Sequence, residues 1–392
     1  MKSIVGYVKE NYPETRTIIN KIPGVIYKKV HLFPLQKIKY LILNISIKII
    51  KKTLKISIRK RKPHDFLIYD LIFPNTNRIH FFNTIYLSYG KWVSTFETTI
   101  PRITQKYSVS EYPLNAIHSL ARNNCIAIIA LSNNAFQIQT KFIRNYPGLK
   151  DNIKIKILSK LAVLHPPQMI LINNITEKEY DRLSFIFIGN DFFRKGGMEV
   201  LNAFEKLFNN KIRKSISLIV ISKMTIDNWV IQATDIERKN AIEFMKKNSQ
   251  WIKFYNGLQN DKVLELIKTA DVGLLPTMAD TYGYSVLEMQ ACGVPVISTD
   301  IRALPEINNN ECGWIIPIIK NCDGNVSYKN DNDILFLRED VEKKLYDILE
   351  LIIDHPDRKR YLFNKSKAAL ERIKLNHSPE KYGNKLKGIM KL

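Results

Sequence analysis

One stretch of the chain, residues 271–306, constrains its fold more than any other. It reads DVGLLPTMADTYGYSVLEMQACGVPVISTDIRALPE, which sets a buried strand, a loop with a carboxylate and a glycine, a helix and a second strand in that order. In α/β proteins this order places the loop and the helix N-terminus at the carboxyl edge of a parallel sheet, where anionic ligands bind. We therefore expect a phosphorylated ligand at this loop.

Short β-branched runs alternate with amphipathic segments of helical length along the chain, which is typical of parallel sheets covered by helices. The predicted strands are residues 3–8, 66–69, 78–81, 92–96, 126–131, 156–163, 184–188, 215–221, 252–254, 272–275 and 295–298. The predicted helices are residues 197–207, 261–269 and 284–291. The fold class indicated by this alternation is α/β.

The length of 392 residues leaves room for two α/β domains, each with its own core. A polar segment marked by two prolines, residues 165–180, separates the two series of strands and predicts the boundary. We expect an N-terminal domain at residues 1–167, a second domain at residues 168–355 and a basic helical tail at residues 356–392.

The composition excludes several classes of protein. A chain with 45% hydrophobic and 25% charged residues is not disordered, and its four cysteines form no CxxC pair that would indicate zinc or redox chemistry. The first residues are interrupted by charges and do not form a signal peptide, and no run of about 18 apolar residues predicts a membrane-spanning helix. These features predict a cytoplasmic protein.

The net charge of +23 is uneven, because residues 37–62 contain ten Lys and Arg side chains and no acid, while the remaining +13 is spread along the chain. With helical spacing, six cations share one face beside an aliphatic stripe: Lys48, Lys51, Lys52, Lys55, Arg59 and Lys62. Such a helix can lie on an anionic membrane surface, or it can be an ordinary domain helix with solvated lysines. A basic nucleic-acid-binding protein is a further alternative, but aromatic and basic residues do not interleave as in RNA-binding motifs, so we expect no nucleic acid.

The nonapeptide DTYGYSVLE places two acids, Asp280 and Glu288, around Gly283. Gly283 would let the backbone approach a ligand, and Glu288, one turn into the helix, suits vicinal ribose hydroxyls. The N–H groups expected to face a phosphate at the helix start belong to Tyr284, Ser285 and Val286. The alternative is structural: Asp280 or Thr281 caps the helix, and Glu288 is an exposed acid of the first turn.

The segment FIFIGNDFFRKGG is a second motif, in which a strand and a polar loop precede two adjacent cations at a helix start. Lys195 would act as a point charge and Arg194 as a planar fork on a diphosphate. The alternative for the RKG tripeptide alone is a solvated basic turn.

Together these motifs resemble glycosyltransferase family 4, whose members are retaining enzymes that use nucleotide-sugar donors. The resemblance covers IGNDFFRKGG, VGLLP, DTYGYSVLEMQACGVPVISTD and ALPEI, and more weakly IHFFNTI, KWVSTFETTIPR, CIAIIALSNNAF and VLHPP. It implies the GT-B fold: two Rossmann-like domains with parallel sheets facing a central cleft, and a C-terminal helix that crosses back to the first domain.

The resemblance also implies roles for individual residues. Lys195 matches the phosphate-binding lysine of the family, Glu288 the carboxylate on the ribose, and Asp280 the acid that holds the donor sugar. The backbone that meets the diphosphate corresponds to Gly283, Tyr284, Ser285 and Val286, with Arg194 as the second cation.

The sequence departs from the family at several positions. Asn190 replaces the usual arginine, Asp280 replaces a glutamate, and only Gly6 remains of the expected glycine-rich loop after the first strand. Glu97 stands where many members carry a catalytic histidine, and it would hold a sugar hydroxyl or stabilise charge at the anomeric carbon. The alternative is that Glu97 orders the TTIPR loop that follows it.

The resemblance implies transfer of a sugar, with retention, from a nucleotide-diphosphate-sugar to a glycan or lipid-linked acceptor in bacterial surface polysaccharide or glycolipid synthesis. We expect a hexosyltransferase that needs no metal and no other cofactor, and that acts in the cytoplasm or on the inner face of the membrane. The triplet Asp331, Asn332, Asp333 imitates a metal-binding DxD motif, but it follows no motif strand and is expected in a surface loop. An epimerase of sugar nucleotides or a phosphorylase is the enzymatic alternative.

Overall fold

A six-stranded parallel sheet forms the centre of each of the two units into which the chain divides. The computed structural model describes residues 3–8, 13–32, 67–68, 71–72, 76, 78–102, 114–179, 181–209, 216–227 and 229–392. The first unit comprises Met1–Pro167 and Pro379–Leu392, and the second comprises Gln168–Ser378. Two Rossmann-like α/β units confirm the predicted fold class.

The sheet of the first unit has the strand order β10-β9-β8-β6-β1-β2. Its strands are β1 (Ser3–Tyr7), β2 (Val25–Lys29), β6 (Ile79–Phe82), β8 (Trp92–Phe96), β9 (Cys125–Ala130) and β10 (Leu161–Val163). Two small ladders accompany it, formed by β3 (His31–Leu32) with β5 (Leu71–Ile72) and by β4 (Leu67–Ile68) with β7 (Ile85–Tyr86). The helices are α1 (Pro13–Ile18), α2 (Leu114–Ala121), α3 (Asn133–Arg144) and α4 (Asp151–Leu158), followed at the chain end by α12 (Pro379–Met390).

The sheet of the second unit has the order β13-β12-β11-β14-β15-β16. Its strands are β11 (Leu183–Ile188), β12 (Ile216–Ile221), β13 (Ile252–Tyr255), β14 (Val272–Leu275), β15 (Val296–Thr299) and β16 (Gly313–Ile316). Its helices are α5 (Gly197–Asn209), α6 (Asp235–Lys247), α7 (Asn260–Ile267), α8 (Tyr284–Ala291), α9 (Leu304–Ile307), α10 (Asp331–Ile353) and α11 (Arg358–Asn376). This is the strand order of a doubly wound sheet, and its direction reverses between β11 and β14.

Most predicted elements agree with the structure to within one or two residues, and β8, β14 and α8 have the predicted bounds. The predicted strand at residues 156–163 is wrong in its first part, which completes α4 before β10 begins. The sequence DNIKIKIL alternates with a strand-like period, yet Ile157 is buried while Ile155 is 69% exposed. In a helix, the buried stripe runs through positions three or four residues apart, so Ile157 is buried and Ile155 lies in solvent.

Two edge strands, β2 and β16, were not predicted from the sequence. The pattern of β2, VIYKK, carries exposed lysines on an edge, where a strand needs no continuous apolar run. The predicted tail, residues 356–392, is divided between the units, because α11 packs on α8 whereas α12 packs against β9. Gly6, the remnant of the expected glycine-rich loop, lies inside β1.

The basic segment at residues 37–62 lies outside the described residues. Among the helices that the structure does describe, none combines the length and the apolar character needed to cross a membrane.

Candidate functional site

The two sequence motifs of the second unit lie at the point where its strand order reverses. Residues 189–197 follow β11 and residues 276–283 follow β14, and these two parallel strands are direct neighbours. In open α/β sheets, ligands bind in the crevice outside the carboxyl ends of the strands at such a reversal. The fold therefore places both motifs at the expected binding position of one sheet.

Lys195 and Asp280 meet across this crevice. The Nζ of Lys195 donates a hydrogen bond to Oδ2 of Asp280, and the two side chains are only 16% and 12% exposed. A charge-assisted contact with so little solvent is stronger than a surface ion pair. The two residues that the sequence analysis assigned to the diphosphate and the donor sugar are thus brought together.

Asp280 has a second contact, because its other oxygen holds the backbone that leads into α8. Oδ1 accepts hydrogen bonds from the N–H groups of Tyr282 and Gly283, each at 3.2 Å. Burial alone would raise the pKa of Asp280, but Lys195, Arg194 and the Tyr282 N–H outweigh it and the pKa is lowered. The carboxylate therefore stays ionised at neutral pH while its Oδ1 holds the backbone immediately before α8.

Gly283 is the N-cap of α8 and has a left-handed backbone, with φ of 92°. A Cβ atom at this position would lie 2.5 Å from Cδ2 of Leu304, so the site requires glycine for both conformation and space. The N–H of Val286 donates to the Gly283 carbonyl at 2.9 Å, which closes the first turn. Of the three N–H groups expected to face a phosphate, that of Val286 is therefore already bonded.

Gly196 lets the two loops approach each other. Its φ is 82°, and a Cβ atom there would lie 2.2 Å from the carbonyl oxygen of Pro276. Only a glycine fits between these backbones without displacing the β14 loop. The RKG tripeptide thus brings the two loops into contact, and a simple solvated turn would not need this.

Arg194 points its guanidinium at protein groups. Nη2 donates to Oδ2 of Asp191, Nε donates to Oδ2 of Asp227, and Nη1 donates to the Ala279 carbonyl. Its Cζ lies 5.3 Å from the ring centroid of Trp229, within the range of a cation–π contact. Asp191 and Asp227 were not predicted from the sequence, and only the pairing of β12 with β11 brings the loop that carries Asp227 to Arg194.

Glu288 and Ser285 lie half-buried on α8, at the positions predicted for them. The helix is held by buried amides on its other side, where Nε2 of Gln290 donates to the Ile307 carbonyl at 2.9 Å. Nδ2 of Asn308 donates in turn to the Val296 carbonyl at 2.9 Å. These bonds fix α8 relative to β15 and so set the position of Glu288.

Glu97 lies in the first unit, directly after β8, and only 7% of its side chain is exposed. Its carboxylate pairs with Arg102 at 3.4 Å, and its N–H donates to Oδ1 of Asn83 at 3.2 Å. Gln139 also holds this loop, since its amide accepts from the Ile100 N–H and donates to the Ile100 carbonyl. The contact with Arg102 agrees with the alternative in which Glu97 orders the TTIPR loop.

The triplet Asp331, Asn332, Asp333 forms the first turn of α10, so the expected surface loop is wrong. Asp333 is engaged locally: its N–H donates to Oδ1 of Asn330, and its carboxylate accepts from the Lys329 N–H. Throughout the part of the chain that the structure describes, three or more His, Cys, Asp and Glu side chains are nowhere grouped as metal ligands.

A known protein family matches the region of the chain that contains this site. Residues 171–321, which lie within the second unit, match the protein family described as glycosyl transferases group 1. The site built by the β11 and β14 loops lies within the matched residues.

Curated relatives are glycosyltransferases of low identity. The capsular polysaccharide biosynthesis glycosyltransferase CapM of Staphylococcus aureus is 26% identical over 198 residues, which is 48% of this chain and 45% of the relative. The D-inositol 3-phosphate glycosyltransferase of Mycolicibacterium vanbaalenii is 27% identical over 81 residues, 21% of this chain and 16% of the relative. The chain thus matches less than half of the length of each of these two relatives.

Solved structures share the fold over the whole chain. A glycosyltransferase from Rickettsia africae ESF-5 has a TM-score of 0.58 at 16% identity and covers 100% of this chain and 98% of its own. The sucrose-phosphate synthase of Thermosynechococcus elongatus has a TM-score of 0.56 at 11% identity, with 99% and 98% covered. Anabaena Alr3699/HepE, in complex with UDP and glucose, has a TM-score of 0.56 at 9% identity, with 99% of both chains covered. At these identities the likeness establishes the fold, that of GT-B glycosyltransferases.

Proposed function

We propose that this chain is a retaining glycosyltransferase of the hexosyltransferase type, which moves a sugar from a nucleotide-diphosphate-sugar to an acceptor hydroxyl. The observation that carries the proposal is the ion pair of Lys195 and Asp280 at the reversal point of the second sheet. It joins a cation suited to a diphosphate and an acid suited to a sugar hydroxyl in one crevice. The relatives named above, which are glycosyltransferases, support the same activity.

Donor binding would exchange partners within this pair. The diphosphate carries more charge than a carboxylate and would attract Lys195, which frees Oδ2 of Asp280 for a hydroxyl of the donor sugar. Oδ1 would keep the N–H groups of Tyr282 and Gly283, so the carboxylate would stay in place. Glu288 would accept hydrogen bonds from the ribose, and Ser285 and Tyr284 lie at the helix N-terminus, whose dipole favours the phosphate charge.

In the transfer step, the main catalytic contribution of the protein would be to stabilise the leaving group. The bond between the anomeric carbon and the phosphate oxygen breaks, the acceptor oxygen bonds to the same face of that carbon, and the acceptor proton passes to the departing phosphate. Lys195 and the start of α8 would stabilise the charge that develops on the diphosphate. Glu97 is proposed to contribute to catalysis from the first unit, by holding a sugar hydroxyl or by stabilising the positive anomeric carbon.

We also propose that the reaction needs no metal, because Lys195 provides the charge that a divalent cation supplies in other transferases. Activity should be unchanged after treatment with EDTA. Loss of activity on chelation, with recovery on addition of manganese, would contradict this part of the proposal.

The acceptor is proposed to be a glycan or a lipid-linked glycan in bacterial surface polysaccharide or glycolipid synthesis. The Staphylococcus aureus relative, a capsular polysaccharide biosynthesis glycosyltransferase, supports this context. Residues 37–62 would then hold the cytoplasmic enzyme against an anionic membrane surface, each cation contributing about 1 kcal/mol near the surface. Sedimentation with anionic vesicles but not with neutral ones is expected, and negligible binding to both would contradict it.

A thermal-shift screen of nucleoside diphosphates and their sugars tests the central proposal. A ligand present at about 100 times its Kd stabilises the folded state by about 2.7 kcal/mol and raises Tm. The sugar nucleotide found in this way is then incubated with and without acceptor, and the anomeric configuration of the product is determined by NMR. Conversion of the sugar nucleotide without acceptor would indicate an epimerase, and no shift with any nucleotide would contradict the proposed function.

A further inference from the structure

The guanidinium of Arg194 is already hydrogen-bonded to protein groups through all three of its nitrogens. The arginine side chain is 10% exposed, and each of its three nitrogens donates to a protein acceptor: Asp191, Asp227 and the Ala279 carbonyl. Two of these acceptors are carboxylates, so the single positive charge of the guanidinium is already balanced.

The two carboxylates are themselves held in place. Thr225 donates from Oγ1 to Oδ1 of Asp191 at 2.6 Å, and the Trp229 N–H donates to Oδ1 of Asp227 at 3.2 Å. A diphosphate that captured Arg194 would leave both carboxylates without their cation beside a ligand of the same sign. The arrangement therefore disfavours the direct contact with the donor that the sequence predicted for Arg194.

The same residue instead joins three loops. Its carbonyl accepts from the Met278 N–H at 2.9 Å and from Oγ1 of Thr277 at 3.2 Å, and its Nη1 reaches the carbonyl of the next residue, Ala279. Through its bond to Asp227, Arg194 also contacts the loop that follows β12. Because β12, β11 and β14 are adjacent strands, Arg194 connects the loops of all three immediately before Asp280.

We propose that Arg194 is a positioning residue: it holds the β14 loop so that Asp280 stands opposite Lys195, and it does not bind the diphosphate of the donor. This proposal rests on the proposed function and refines it, since it assigns phosphate binding to Lys195 alone among the two adjacent cations. It also gives Asp191 and Asp227 a role as anchors of Arg194.

Hydrogen–deuterium exchange on the unliganded full chain tests the positioning directly. The guanidinium of Arg194 donates to the Ala279 carbonyl and is itself held by Asp227, so Arg194→Gln and Asp227→Asn should both loosen the β14 loop and speed exchange in peptides that span residues 276–283. Asp340→Asn is the matched control: it removes a carboxylate paired with Lys344 at 2.6 Å on α10, and it should leave that exchange unchanged. Unchanged exchange in both site variants would overturn the proposal, whether or not the chain is a glycosyltransferase.

Binding and turnover separate positioning from phosphate contact. UDP, GDP and ADP lack the sugar, so the one that wild type binds should keep its Kd within about threefold in Arg194→Gln and Arg194→Lys, while kcat with its sugar nucleotide falls on the order of tenfold to a hundredfold. A Kd that weakens about tenfold or more in Arg194→Gln and recovers in Arg194→Lys would identify a phosphate ligand and overturn the proposal. If wild type binds no nucleoside diphosphate in the thermal-shift screen, the proposed function fails, and the exchange experiment still decides the role of Arg194.

Discussion

Lys195 and Asp280 are 85 positions apart in the sequence, and the Nζ of the first donates a hydrogen bond to the carboxylate of the second. Each residue neutralises the other across the crevice. A phosphorylated ligand must therefore compete with Asp280 for Lys195. Replacing Lys195 and replacing Asp280 should consequently change the affinity for that ligand in opposite directions.

Lys195→Met should weaken the binding of the nucleoside diphosphate that the chain recognises. A hydrogen bond to a charged group contributes about 1.5–3 kcal/mol, so Kd measured by calorimetry should rise about tenfold to a hundredfold. The control is Lys262→Met on α7, which breaks an exposed pair with Glu265 at 3.0 Å and should leave Kd unchanged. A normal Kd in Lys195→Met would remove this lysine from the proposed site.

Asp280→Asn should have the reverse effect on binding. The amide no longer competes for Lys195, so the nucleoside diphosphate should bind several-fold more tightly, while kcat falls because the donor sugar loses a charged acceptor. Calorimetry gives the first quantity and the release of nucleoside diphosphate from the sugar nucleotide gives the second. Weaker binding together with unchanged kcat would contradict the assignment of Asp280 to the sugar.

The sequence was sufficient to predict that Lys195 and Asp280 converge, because each follows a buried strand and parallel strands end at one edge of a sheet. It was not sufficient to identify the partners of Arg194. Asp227 contacts Arg194 only because β12 pairs with β11, and strand order is a tertiary property that local periodicity does not encode. The same limit explains α4, where tertiary packing selects the helical stripe over an alternating pattern.

Glu97→Gln tests whether the buried acid of the first unit acts in catalysis. We expect kcat to fall on the order of a hundredfold with little change in the melting temperature, because the amide keeps the shape but not the charge. Arg102→Lys preserves the charge of the partner at 3.4 Å and should keep kcat within about threefold. A near-normal kcat in Glu97→Gln would restrict this residue to ordering the TTIPR loop.

Because His80 is buried, we expect the first unit to lose folding stability in acid. The ring is fully buried between Tyr27, whose hydroxyl lies 2.9 Å from Nδ1, and Thr95, whose hydroxyl lies 2.6 Å from Nε2. Burial lowers the pKa of His80 from 6.5 to about 3. Between these values the unfolded chain binds a proton that the folded chain does not, so stability is full above pH 6.5 and is lost as pH falls, by at most about 1.4 kcal/mol per pH unit.

His80→Gln should flatten this pH dependence, because glutamine does not titrate, even if it lowers stability at every pH. His118→Gln, a change at a half-buried position on α2, serves as the control and should retain the wild-type slope. Melting temperatures recorded from pH 7 to pH 4 provide the comparison. Parallel curves for wild type and His80→Gln would show that His80 does not control the acid transition.

Gly283→Ala should destabilise the second unit and also weaken donor binding. A left-handed backbone costs alanine about 1–2 kcal/mol, and the added methyl group would lie 2.5 Å from Cδ2 of Leu304, which packing holds in place. Gly257→Ala is matched in backbone strain, with φ of 75°, but its methyl group would meet only the flexible side chain of Lys223. Denaturant unfolding should therefore show a clearly larger loss for Gly283→Ala. The Gly283 N–H donates to Oδ1 of Asp280, so strain in this backbone should also move Asp280 and lower nucleoside diphosphate affinity in Gly283→Ala alone. Equal losses of stability and of affinity in the two variants would mean that the start of α8 tolerates a side chain and does not depend on close packing.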